Sequence, residues 1–110
     1  MTTQEARPIE RRRSARVAAT IPVIVQGQAR SGKEFNVKTH THLVSLFGCL
    51  ILLDMDIFVD RRVVVTREDT HESIEGKFVS TWRHPDGRRF VGVAFTSIAQ
   101  EFWHMTIPAA

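Results

Sequence analysis

Thr41-His-Leu-Val-Ser-Leu-Phe-Gly-Cys-Leu-Ile-Leu-Leu53 is the most apolar stretch of the chain, and one glycine, Gly48, interrupts it. Leu43, Ser45 and Phe47 alternate with Val44 and Leu46 before the glycine, and Cys49 to Leu53 runs apolar after it, stopping at Asp54. An apolar run this short, rich in branched residues, predicts strand rather than helix. A glycine within a strand pattern marks a bulge or a close approach by another backbone or a ligand. The reading is two strand pieces joined by a bend at Gly48, and whatever approaches that bend is the lead to function.

Working outward from this stretch, the neighbours also read as strands. Val17 to Ala29 alternates, with Pro22 near its start, where an edge or entry position tolerates it. Arg30 to Glu34 carries a Ser-Gly turn signal, and a second strand runs from Phe35 to about Ser45. Beyond Asp54, Arg61 to Arg67 contains Val63-Val64-Val65. Ser73 to Arg83 alternates, placing Ile74, Gly76, Phe78, Ser80 and Trp82 on one side. His84-Pro85-Asp86-Gly87 is a hairpin turn, because proline presets one dihedral and glycine accepts positive φ. Arg88 to Phe95 answers it. Ser97 and Gln100 then form a capping box, with Ile98, Phe102 and Met105 on one face of a short helix ended by Pro108. Six short strands and a terminal helix predict a small antiparallel barrel.

Composition sets the frame. The chain has 110 residues, 43% hydrophobic and 25% charged, which suits one globular domain. Its formal charge of +3 is local: Arg7, Arg11, Arg12, Arg13 and Arg16 cluster, and the remainder is close to neutral. That placement points to a local anionic partner rather than a whole nucleic-acid-binding surface. The bland alternative is a solvated basic tail, or nonspecific contact with RNA, DNA or acidic lipid. The single cysteine, Cys49, cannot form an internal disulfide, so a reducing, cytoplasmic setting is expected. The apolar runs are too short to span a bilayer, and no membrane partner is expected. Residues 1–10 read as a flexible arm and residues 11–107 as the folded domain.

The candidates for chemistry are few. His40 and His42 share a strand face, but a metal site needs a third or fourth ligand, and none is in view. Cys49 sits in the apolar run with no cation beside it to lower its pKa. Asp54, Asp56 and Asp60 read as turn residues. No nucleophile, base and orienting group converge, so the chain is not read as an enzyme.

Three motifs in order resemble one family. Arg12 and Arg16 form R-x-x-x-R before the first strand, Ser45 and Gly48 form S-x-x-G at the bend, and GKFVSTWRHPDGRRFVGVAF is similar to a closing hairpin. Together they resemble the PilZ domain, a bacterial cytoplasmic receptor module for cyclic di-GMP. The resemblance covers about Arg11 to Met105 and implies a six-stranded antiparallel barrel with a C-terminal helix. It also implies a non-enzymatic cyclic di-GMP-binding module, with Arg11, Arg12, Arg16, Ser45 and Gly48 carrying ligand contacts. Guanidinium suits that role, since it is planar, always charged, and able to pair with phosphate or stack on a base. The implied mechanism is an ordering of the Arg11 to Arg16 arm over the barrel, which changes the surface offered to an effector protein.

The second motif departs from the family's D/N-x-S-x-x-G, because Leu43 stands where an aspartate or asparagine would accept hydrogen bonds from guanine. An unpaired buried donor costs about 1–3 kcal/mol, or about one to two decades in affinity. Weakened binding follows from this. The alternative is a degenerate PilZ-like domain that has lost the ligand and acts as a protein-interaction adaptor, as a monomer or homodimer. A nucleic-acid-binding barrel is a third class, marked by strong salt dependence. Neither a cofactor nor a metal is implied.

Overall fold

Alternation of β-branched and polar residues produces seven strands in a computed structural model that describes residues 15–108. They are β1 (Val17–Ala18), β2 (Pro22–Gln28), β3 (Glu34–Ser45), β4 (Gly48–Leu52), β5 (Arg62–Arg67), β6 (Ser73–Arg83) and β7 (Arg89–Phe95). The pairing order is β1-β3-β2-β5-β6-β7-β4, and β4 pairs back onto β3. Every pairing is antiparallel. Six strands, β2 to β7, therefore close a ring, and β1 is a two-residue addition beside β3. Closure removes most of the sheet edges that would otherwise recruit other chains.

The expected first strand is split into β1 and β2 by Thr41, which is fully buried. Its hydroxyl donates to the Ala19 carbonyl at 2.6 Å and accepts from the Ile21 N–H at 3.0 Å. One side chain thus satisfies both backbone groups that the break would leave unpaired. A shift in the β3–β4 register follows at His42.

The core fills the ring from every strand by the two-residue period. Val23, Val25, Ile51, Val63, Val65, Phe78, Val91 and Val93 point inward, and Trp103 joins them from the C-terminal segment. The turns at Gly32 (φ 93°) and Gly87 (φ 97°) occupy the left-handed region that glycine accepts. Both lie where the turn residues predicted them.

Two expectations need correction. Strict alternation along β6 put Ser80 and Trp82 on the side of Phe78. Phe78 does pair with Val93, but Ser80 pairs with Gly92, so Val79 is an extra residue. That bulge turns Ser80 and Trp82 to the outside, since a one-residue slip reverses every later side chain. Trp82, 49% exposed, then packs on Phe90 at 5.6 Å between ring centroids. His42 packs on Phe90 as well, at 5.1 Å, so Phe90 is buried to 2% on the outer face.

The terminal helix is the second correction. Residues 97–108 form turns and bends, and no helix occurs among the described residues. The Phe102 carbonyl, which a helix would pair internally, is committed to the barrel, and the start of the segment is tied to the β3–β4 hairpin. Ala99 N–H donates to Leu46 O at 2.7 Å, and the Phe102 carbonyl accepts from the buried Arg67 at 3.0 Å. His104 adopts φ 55°, which ends any right-handed run. Phe102 and Trp103 are buried while Ile98 is 58% exposed, so the predicted apolar face does not exist as one face.

Candidate functional site

The stretch from Thr41 to Leu53 folds as a tight hairpin, with Leu46 and Phe47 as the two turn residues between β3 and β4. Two-residue hairpin turns ordinarily use positive φ, and neither Leu46 nor Phe47 has it. Ser45 supports the turn instead. Its Oγ accepts from Phe47 N–H at 3.2 Å and donates to the Gly48 carbonyl at 3.3 Å. Three further bonds hold the turn from outside. Trp103 Nε1–H donates to Ser45 O at 2.9 Å, Ala99 N–H to Leu46 O, and Phe95 N–H to Phe47 O at 2.8 Å.

Gly48 is demanded by a backbone. A Cβ on Gly48 would collide with the carbonyl oxygen of Val93 on β7. The close approach expected at this glycine is therefore made by the neighbouring strand, and Gly48 lets β4 lie against β7.

On the outer face of this hairpin lies a groove of about 380 Å³. It brings Arg16, Leu43, Ser45 and Gly48 together, from segments nearly thirty residues apart in sequence. Arg16 is exposed, and it is the charged side chain among the described residues that line the groove. Leu43, Leu50, Gly92 and Ser80 form one row across four strands, by the pairings Leu43 with Leu50, Leu50 with Gly92, and Ser80 with Gly92. Val79 stands beside that row and half-exposed. The floor is aliphatic and the rim carries a cation.

Of the residues singled out from the sequence, Arg16, Ser45 and Gly48 meet in the groove, and Leu43 meets them there. Arg11 and Arg12 lie outside the described residues. Leu50, Val79, Ser80 and Gly92 were missed. Gly92 had a signal, for alternation places it with Phe90 and Ala94 on one face of β7. Val79 had one too, since alternation places it opposite Phe78; Ser80 had none, because only the bulge turns it toward the groove.

The other candidates add no reactive group to the groove, although Cys49 borders it. Cys49 faces the core, and burial pushes its thiol pKa far up. His42 is engaged with Phe90 on the outer face. Among the described residues no three His, Cys, Asp or Glu side chains gather as a metal cluster. No helix among them is long and apolar enough to cross a membrane.

The fold is matched by known proteins. A family model described as PilZ domain matches residues 10–105, nearly the whole chain. No curated protein matches the chain. Among solved structures, the Bacillus subtilis inhibitor of motility MotI/DgrA superposes with a TM-score of 0.60 at 19% identity, over 84% of this chain and 46% of that one. Escherichia coli YcgR in complex with c-di-GMP gives 0.58 at 18% identity, over 77% of this chain and 38% of that one. The PilZ domain of the same protein with c-di-GMP gives 0.57 at 15%, over 78% of both chains. At these identities the likeness is one of fold, and the chain spans less than half of the first two proteins.

Proposed function

The chain belongs to the PilZ domain family, and from that premise we propose that it is a non-enzymatic signalling module that binds cyclic di-GMP in the groove beside the β3–β4 hairpin. The observation that carries this reading is the convergence of Arg16, Ser45 and Gly48 on one groove. The structures of YcgR that hold c-di-GMP share the barrel and support the choice of ligand.

In this reading Arg12 and Arg16 take the phosphates and guanine faces, with Arg11 beside them. The groove floor receives the bases. Ser45 acts chiefly by fixing the turn, because its hydroxyl proton is already given to the Gly48 carbonyl. Binding holds the Arg11 to Arg16 segment over the barrel and so changes the surface presented to an effector protein. The likeness to MotI/DgrA, whose described action is inhibition of motility, fits an output through another protein. A cytoplasmic setting accords with a ligand of this kind and with a buried, reduced Cys49.

A second reading rests on Leu43. It lines the groove where a hydrogen-bond acceptor for guanine would stand, and a lost partner there costs about 1–3 kcal/mol. A chain that tolerates this loss can serve as an adaptor without ligand. Amide chemical-shift mapping of the full chain with cyclic di-GMP separates the two. The receptor reading expects shifts at Arg16, Leu43 to Leu50, Ser80 and Gly92. Shifts confined to the opposite face, around Phe35 and Val64, or no shifts at millimolar ligand, would remove it.

A further inference from the structure

We infer that Phe47 takes one base of the dinucleotide on the face of its ring and so serves as an aromatic platform in this groove. The inference rests on the groove being the dinucleotide site proposed above. Leu46 and Phe47 share the two-residue turn between β3 and β4, and their side chains serve different ends. Leu46 packs against the barrel core. Phe47, half-buried, lines the groove together with Arg16, Ser45 and Gly48. The S-x-x-G spacing leaves Phe47 without a role, because it occupies one of the two open positions.

The backbone of Phe47 is held from both sides. Its N–H donates to Ser45 Oγ at 3.2 Å, and its carbonyl accepts from Phe95 N–H at 2.8 Å. The residue that follows, Gly48, lies against the Val93 backbone. A ring on a stem fixed in this way has little freedom left to lose when it meets a ligand. Every base has a π-face, and stacking one on an aromatic side chain is worth about 1–3 kcal/mol. A cyclic dinucleotide carries two bases, so an arginine on one face of a base leaves its other face for the ring. Arg16 lines the same groove as Phe47, so one nucleotide can be held by phosphate and base together.

The test is NMR of the full chain saturated with cyclic di-GMP, with calorimetric titration of Phe47→Leu and Phe47→Trp beside the wild type. In the wild-type complex the H8 proton of one base is expected to shift upfield and to show cross-relaxation with the Phe47 ring protons, as stacked rings do. Phe47→Leu keeps an apolar side chain and removes the ring. Once its thermal melt shows it folded, it is expected to bind at least about fivefold more weakly. Phe47→Trp keeps a flat face and is expected to bind within about threefold of the wild type. A smaller loss in folded Phe47→Leu, equal weakening in both variants, or a saturated wild-type complex without contact between Phe47 and a base would overturn the inference. Each of these leaves the receptor reading intact. Absence of saturable binding by the wild type would overturn the receptor reading, and this inference with it.

Discussion

Trp103 donates its indole N–H to the main-chain carbonyl of Ser45 across 2.9 Å, joining a residue of the C-terminal turns to the hairpin that carries the groove. The two are 58 positions apart in sequence, and Trp103 is 1% exposed. Its ring also packs against Phe102 at 4.8 Å and Phe95 at 5.8 Å. One side chain therefore packs into the barrel core and steadies the β3–β4 turn.

Trp103→Phe keeps an aromatic ring in place but removes the donor. The Ser45 carbonyl loses a partner, and the protein is expected to lose about 1–3 kcal/mol by urea unfolding. Trp103→Ala also opens a cavity and is expected to lose about 3–5 kcal/mol. Equal stability of Trp103→Phe and wild type would mean that the bond contributes nothing to the fold.

The C-terminal segment shows what the sequence hides. Spacing of Ile98, Phe102 and Met105 fits a helical face, yet Ala99 N–H and the Phe102 carbonyl are spent on Leu46 and Arg67, which are distant in sequence. A local pattern cannot reveal a competing tertiary hydrogen bond. The same holds for Ser80 and Trp82, whose outward turn depends on one extra residue in β6. By contrast the ring of six strands, both glycine turns and the meeting of Arg16, Ser45 and Gly48 were legible. Strand alternation and turn chemistry are local, and the short motifs carry a family's geometry with them. The groove floor was legible only in part, because alternation separates two faces of a strand without saying which is outside.

Two glycines face the same region with opposite consequences. Gly48→Ala drives a Cβ into the Val93 backbone, which cannot move without breaking the β4–β7 pairing. It is expected to cost at least about 1–3 kcal/mol, as overpacking does. Gly92→Ala meets the Ser80 hydroxyl, which can rotate away. That variant is expected to keep its thermal midpoint within a few degrees and to lose ligand affinity, because the methyl fills the floor. Thermal melts and titrations of the two variants check the contrast, and a stable Gly48→Ala protein would count against the packing described for it.

Arg67 is buried and holds Asp69 through two bonds, at 2.9 and 2.7 Å, while also donating to the Phe102 carbonyl. The guanidinium bond holds the Asp69 carboxyl down at about 2. A depressed carboxylate contributes stability that is present above its unfolded pKa, about 3.9, and lost as pH falls through its folded value. Asp69→Asn is therefore expected to melt below wild type at pH 7, with the gap closing between about pH 4 and pH 2. A gap that stays constant over that range would assign the difference to packing and not to charge.

The central claim is that Arg16 and the groove beside Gly48 form a cyclic di-GMP site. Its most direct test is calorimetric titration of the wild type and of Arg16→Ala with cyclic di-GMP at low salt. Arg16 is exposed, so its removal is expected to leave the melting temperature unchanged. The account predicts saturable heat from the wild type and at least about a tenfold weaker Kd for Arg16→Ala, the scale of a lost charge-assisted bond. Unaltered binding by a folded Arg16→Ala protein, or no heat from the wild type, would contradict it.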